Sequence, residues 1–412
     1  MESNGLVSTI KRFFKKYFAA GQAVNGKEVE EVVLPADATA FDRFLLTRRK
    51  LLGMIIPPIF FYAIWLVMAV RYDLWSLFPN RYEMSITMIF GSFVGGITCE
   101  GSGAIAFPVM TLLLHIDPTV ARDFSLMIQS CGMVSAAFTI LFMRIALEWR
   151  SIVFCSLGGI FGTIFGFHMV DPYLSNDEKK IGFVSIWFSF AIALYILNRQ
   201  HKRTTYDKVQ HFNWWKALVL LAAGFLGGNF TAFAGSGLDI CSFSMLTLLF
   251  HVSEKVATPT SVVLMAFNTL VGFFWRNYWM QGIMQAAWEY WAVSVPIAVI
   301  TAPLGSLVGS HLHRLVLASM IYVLETAALI GGLAIVQPGL ALSIASAAII
   351  VGGSAFFVII STVGTALTKH HNDRVHIHEL KMSNSRGNFM DLKVNHPTME
   401  QKIVINPAGD GT

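Results

Sequence analysis

The chain has 412 residues, 55% apolar and 13% charged, with 33 Phe, 10 Trp and 10 Tyr, a mean hydropathy of +0.59 and a net charge of +5. An ordinary soluble domain carries roughly 25% charged residues, so this composition excludes a disordered chain, a disulfide scaffold and a typical cytosolic enzyme, and fits a polytopic membrane protein with short loops. The positive charge lies largely outside the apolar segments, which makes it a topology signal, and no nucleic-acid partner is expected.

Residues 1–50 are polar and mixed in charge. Lys11, Arg12, Lys15 and Lys16 interleave with Ile10, Phe13, Phe14, Tyr17 and Phe18, a spacing that suits either an amphipathic helix on an anionic membrane surface or a basic tail. The first long apolar run starts at Leu51 and is too long for the h-region of a signal peptide. Apolar segments then run over about 51–70, 85–98, 103–115, 123–143, 151–170, 181–198, 217–233, 238–250, 257–275, 288–310, 315–336 and 340–367. A spanning helix needs about 20 residues, so 85–98, 103–115 and 238–250 are too short to cross alone. Cys99, Cys131, Cys155 and Cys241 fall inside apolar stretches and read as small core residues. Trp149, Trp214, Trp215, Trp275, Trp279, Trp288 and Trp291 cluster near the segment ends, as in an aromatic belt. The tail 368–412 holds His370, His371, His376 and His378, which are either solvent-exposed or a metal site; neither metal nor cofactor is expected.

Two broken regions repeat each other. The first reads Gly91, Gly95-Gly96, Gly101-Ser102-Gly103, Met110 to His115, Ala121 and Ser125; the second reads Gly224, Gly227-Gly228, Gly235-Ser236-Gly237, Leu246 to His251, Ala257 and Ser261. From Thr111 and Thr247 onward the offset is a constant 136 residues, the mark of an internal duplication. Positive charge favours the cytoplasmic side. Arg43, Arg48, Arg49 and Lys50 therefore place the N-terminus there, and Arg199, Lys202, Arg203, Lys208 and Lys216 place the loop 199–216 there. If each pair of short segments is a hairpin returning to its starting side, the two copies insert upside-down and the C-terminal tail also lies in the cytoplasm. Inverted copies with broken helices are a usual build of secondary transporters.

A glycine triplet between apolar segments frees backbone N–H groups, which in lipid must be satisfied by protein or a polar cavity. A helix N-terminus with such donors suits an anion, although glycines also let helices pack closely. Polar residues surround both breaks: Thr98, Cys99, Glu100 and Ser102 at the first, and Asn229, Thr231, Ser236 and Asp239 at the second. Glu100 and Asp239 are candidate proton sites or members of fixed pairs, since charge at membrane depth is costly. Ser125, Gln129 and Ser130 on one following helix, and Thr260, Ser261 and Asn268 on the other, can line a cavity or join helices. His115 and His251 end matching segments, either at a cavity mouth or in a structural role. Glu325 falls within a span and needs a buried partner that the sequence does not name.

The pattern Gly91, Gly95, Gly101-Ser102-Gly103, Pro108, Pro118, Ala121 and Ser125 resembles the glycine-rich signature of the TauE/SafE sulfite-exporter family, and Gly224, Gly228, Gly235-Ser236-Gly237, Ala257 and Ser261 are similar. The resemblance covers roughly residues 85–367. It implies a carrier for small sulfur-containing or organic anions, such as sulfite or organosulfonates, with the family's glycine motifs on Gly101, Ser102 and Gly103 and on Gly235, Ser236 and Gly237.

The expectation is an all-α polytopic membrane protein with two inverted repeats, broken re-entrant hairpins and about eight full spans. Its divisions are a cytoplasmic tail (1–50), an extra helix and loop (51–84), repeat one (85–198), a basic loop (199–216), repeat two with a final helix (217–367) and a cytoplasmic tail (368–412). The anion would be held by Gly101, Ser102, Gly103, Gly235, Ser236, Gly237, Thr98, Asn229, Thr231, Ser125, Gln129, Ser261 and Asn268, with Glu100 and Asp239 as proton-coupling groups. Such a carrier acts by alternating access, needs only its anion and the lipid bilayer as partners, can pair as a homodimer, and belongs in the plasma membrane. The alternative is an intramembrane enzyme using Glu100, Asp239, His115 or His251 as acid, base or metal ligand.

Overall fold

The computed structural model describes residues 39–199, 205–309 and 311–394. The basic-aromatic stretch at 10–18 lies outside the described residues, as do the side chains of His370, His371, His376 and His378. The helices are α1 (Ala40–Thr47), α2 (Arg49–Tyr72), α3 (Phe78–Ile97), α4 (Gly103–Pro108), α5 (Pro118–Phe142), α6 (Trp149–Met169), α7 (Asn176–Arg199), α8 (Trp214–Ala234), α9 (Leu238–Ser244), α10 (Glu254–Phe274), α11 (Gln285–Gly309), α12 (Arg314–Val336) and α13 (Leu340–Val394). No strand occurs among the described residues. The described residues up to Gly364 form one packed unit; those from Thr365 form a second, helical through Val394.

Among the described residues nine helices are long and apolar enough to cross a membrane: α2, α5 to α8 and α10 to α13. The ninth, beyond the eight expected, is α8, the long arm of the second hairpin. Burial sorts the helices: the most apolar stretch of α5 is 83% buried, against 17% in α2, α12 and α13. α5 is thus the central helix, and the other three turn apolar faces outward, as lipid requires. α5 begins on Pro118, and Asp117 before it accepts the Thr119 N–H at 2.7 Å, a cap that fixes where the helix starts.

The duplication is visible element by element. In the first copy α3 ends at Ile97, α4 runs into a π turn (Val109–Leu113), and His115 closes it at φ 52°. In the second α8 ends at Ala234, α9 runs into a π turn (Met245–Leu249), and His251 closes it at φ 53°. Each short arm doubles back along its long arm. A Cβ on Gly91 would lie 3.6 Å from Ile105 and one on Gly95 2.4 Å from the Ser102 nitrogen; one on Gly227 would lie 2.6 Å from the Leu238 Cα. The expected breaks are therefore real, and each forms the tip of a helical hairpin.

The copies are interleaved. α6 packs on α8 and α11 on α3, α5 on α10, and α7 on α12. Exchanging α3 with α8 and α6 with α11 turns the first interface into the second, as expected of two related halves. Both interfaces bring backbones together. A Cβ on Gly158 would sit 2.0 Å from the Leu221 carbonyl oxygen, and one on Gly96 would sit 2.1 Å from that of Ala302. Only glycine permits this approach.

Replacing Gly158 by Ala should destabilise the protein by about 1–3 kcal/mol, because the new methyl meets backbone that cannot rotate away. Gly182→Ala, with nothing within 4 Å of the added carbon, should be close to neutral. Thermal unfolding of the two purified variants measures the difference.

Candidate functional site

The hairpin tips are shaped by glycine and threonine. Gly101 and Gly235 hold φ of +71° and +78°, a region that side chains with a Cβ rarely adopt. One turn before each tip stands a threonine. Thr98 Oγ1 donates to the Val94 carbonyl at 2.9 Å and accepts the Glu100 N–H at 3.4 Å. Thr231 Oγ1 donates to the Gly227 carbonyl at 2.9 Å and accepts the Leu238 N–H at 3.3 Å. Each hydroxyl thus joins the last helical turn to the chain beyond the break.

The tips touch. The Ser236 hydroxyl donates to the Glu100 carbonyl at 3.1 Å, and a Cβ on Gly103 would lie 3.2 Å from the Ser236 Cβ. α5 lies across both tips with Arg122, Ser125 and Gln129, spaced three and four residues apart and therefore on one face. Gln129 Nε2 donates to the Gly235 carbonyl at 2.7 Å and the Ser125 carbonyl at 3.0 Å, while a Cβ on Gly101 would meet its Oε1 at 2.6 Å. Gln129 thus anchors the second tip to α5 while its Oε1 lies beside the first. Its counterpart 136 residues on is Met265, whose sulfur packs on Gly101. The Ser102 and Ser125 hydroxyls and Gln129 Oε1 are buried and have no hydrogen-bond partner. Buried polar atoms are normally paired, so this face is equipped for a polar guest.

The two tips differ in charge. Asp239 Oδ1 accepts the Gly237 N–H at 2.9 Å, and the Ser236 hydroxyl lies 3.2 Å from its Oδ2. The free donors expected at the second tip are therefore already engaged by the chain's own carboxyl group. The first tip has no such residue: Ile105 stands two positions after its triplet, where the second copy has Asp239. The residue that faces Glu325 is Glu100; both are buried, and their carboxyls lie against each other.

Several candidates hydrogen-bond within or between the surrounding helices. Asn268 donates to Ser156 Oγ at 3.2 Å and the Leu264 carbonyl at 2.8 Å, joining α10 to α6. Asn229 donates to the Phe225 carbonyl at 2.8 Å within its own helix, and Ser261 to the Thr258 carbonyl at 2.8 Å. His115 and His251 end the short arms, roughly 15 Å along the helix from the tips, so the acid–base set of the enzyme alternative is not assembled with Glu100 and Asp239. Among the described residues no group of three or more His, Cys, Asp and Glu is placed to hold a metal ion.

A buried charge network escaped the sequence reading. Arg276 forks onto Asp123, with Nε to Oδ1 at 2.9 Å and Nη2 to Oδ2 at 2.8 Å. Arg122 Nε donates to the same Oδ1 at 2.9 Å and its Nη1 pairs with Asp171, which also meets Lys179 at 2.7 Å. Arg122 also reaches the Ala232 carbonyl, one turn before the second tip. The available signal was charge inside an apolar stretch at Arg122-Asp123 and again at Arg276, but nothing in their spacing couples them.

The equivalent place beside the first tip is open. A cavity of about 30 Å³ is lined there by Thr98, Cys99, Asn198, Thr258 and Ile321 among others. Thr258 is the residue 136 positions after Arg122. One side of the crossed tips is thus plugged by an arginine network and the other carries a cleft.

A family model described as Sulfite exporter TauE/SafE matches residues 84–330, more than half of the chain and from α3 into α12. No curated protein and no solved structure matches the chain.

Two substitutions test the site's construction by chemical or thermal unfolding. Gln129→Leu leaves the Gly235 carbonyl unpaired and should cost about 1–3 kcal/mol. Asp123→Asn strips the two arginines of their shared counter-ion and should cost about 3–5 kcal/mol.

Proposed function

The chain belongs to the TauE/SafE sulfite exporter family, and from that premise we propose that it moves sulfite or a related sulfur-containing or organic anion across the membrane by alternating access. The observation that carries this reading is the meeting of two broken hairpins at buried hydroxyls that lack partners, Ser102 and Ser125. A small oxyanion there would accept from both hydroxyls and from the first-turn amides of the helix that begins at Gly103, whose dipole favours negative charge. Thr98 and Thr231 hold the tips in shape, Gln129 anchors the second tip to α5, and Gly235, Ser236 and Gly237 form the opposing wall. Asp239 already satisfies the second tip, so a single anion binds at the first. Asn229, Ser261 and Asn268 support the surrounding helices.

The basic residues before α2 and between α7 and α8 favour a cytoplasmic placement of both termini, with the copies inverted in the plasma membrane. In that orientation the cleft beside Thr98 and Thr258 faces the cytoplasm, and the network of Arg122, Asp123, Asp171 and Arg276 closes the outer side. Reorientation would part that network and bring Thr258 toward the first tip, giving the two sides exchanged roles.

Purified full-length protein in liposomes should carry labelled sulfite down a gradient. Gly101→Ala drives a methyl against Met265 and Gln129, and Gly235→Ala drives one against Ser125. Each should lower the flux by at least about tenfold, a barrier increase of ~1.4 kcal/mol. Wild-type protein that moves neither sulfite nor an organosulfonate under any imposed gradient would overturn the proposal.

A further inference from the structure

Glu325 has no role in the anion site just described, yet it is 2% exposed in α12, and Glu100 is 1% exposed at the first tip. Two ionised carboxylates packed together away from water, with no cation beside them, repel each other, so the pair is stable only when an oxygen of one carries a proton. The remaining oxygens, Glu100 Oε1 and Glu325 Oε2, are buried without partners. No lysine, arginine or histidine forms a salt bridge with either residue among the described residues. The ionisable groups facing Glu100 are the Cys99 thiol and Asp239, itself held by Ser236 and Gly237. Of the elements packed on α12, the short arm α4 with its π turn carries no charge, and α7 carries charge only near its ends, at Asp177 to Lys180 and at Arg199.

The cavity is an independent observation. It extends to Thr98 and Cys99, next to Glu100, and to Ile321, one helical turn before Glu325 on the same face; Glu254 and Asn198 also line it. Its volume of about 30 Å³ has room for water. The cavity can therefore hold water in the neighbourhood of the carboxyl pair.

We propose that Glu100 and Glu325 form the proton site of this carrier, loaded through the cavity beside Thr98 and Cys99; the proposal rests on the anion-carrier reading above. The proton comes from water in the cavity, is held between the two carboxyls while the anion occupies Ser102 and Ser125, and returns to water on the opposite side. A doubly ionised pair repels an anion at the neighbouring tip, and a proton on it relieves that repulsion. Each ligand then favours binding of the other, by reciprocity of coupling, and proton and anion travel in the same direction.

The test uses the full chain in liposomes that enclose a pH-reporting dye, with methanesulfonate as the anion because it has no titratable group. An inward methanesulfonate gradient should acidify the lumen for wild-type protein. Glu325→Gln should cut that proton movement by at least about tenfold while still exchanging labelled methanesulfonate across the membrane. Proton movement equal to wild-type in Glu325→Gln overturns the proposal, and so does uncoupling by Asp239→Asn in its place. Should Glu325→Gln fail to fold, the infrared spectrum of wild-type protein at neutral pH decides. A protonated carboxyl band that shifts on adding methanesulfonate supports the pair, and its absence overturns it. Wild-type protein that moves no anion at all defeats the carrier reading instead, a result distinct from anion flux without protons.

Discussion

Everything at the centre of this molecule depends on satisfying broken backbone away from water. A helix that stops inside a membrane leaves main-chain donors and acceptors without partners, and lipid supplies none. Here the remedy is mutual. Ser236 from one tip takes up the Glu100 carbonyl of the other, and Gln129 from α5 takes up the Gly235 carbonyl. Neither tip is complete without the other. The site is therefore a product of the duplication, because one copy alone would leave its exposed backbone unpaired.

The copies share a path but not a charge pattern, and the differences give the molecule its polarity. Arg122 and Thr258 occupy matching places, and one fills its side of the tips while the other borders a cleft. Asp239 and Ile105 likewise differ at the first turn of the short arms. The result is one tip whose donors are engaged internally and one whose hydroxyls remain free. On the proposed reading, that asymmetry is what limits the site to one anion.

Legibility in the sequence followed the range of the interaction. The glycine triplets, the flanking threonines and the paired histidines were readable because they recur in the same order, and that order survives as matching π turns and left-handed residues. Gln129 was readable because it shares a helical face with Ser125. The partnership of Glu100 with Glu325, and that of Asp123 with Arg276, were not. They join residues far apart in the chain through packing of α12 on α4 and of α10 on α5, and no periodicity carries that information. Asn229 and Asn268 show the same limit from the other side. A polar side chain in an apolar helix looks the same in sequence whether it faces a cavity or bonds to the previous turn; the amide nitrogens of both bond to that turn, while their Oδ1 atoms are buried without a partner.

The glycine contacts between α6 and α8, and between α3 and α11, carry one more implication. Each hairpin's long arm is seated, carbonyl against Cα, on a helix from the other half of the chain. Smooth backbone surfaces of this kind can slip past one another without disengaging interdigitated side chains, but they cannot separate without exposing polar main chain. Each long arm thus depends on backbone from the opposite half, and a gene fragment encoding a single half would lack the surface on which its own hairpin is seated.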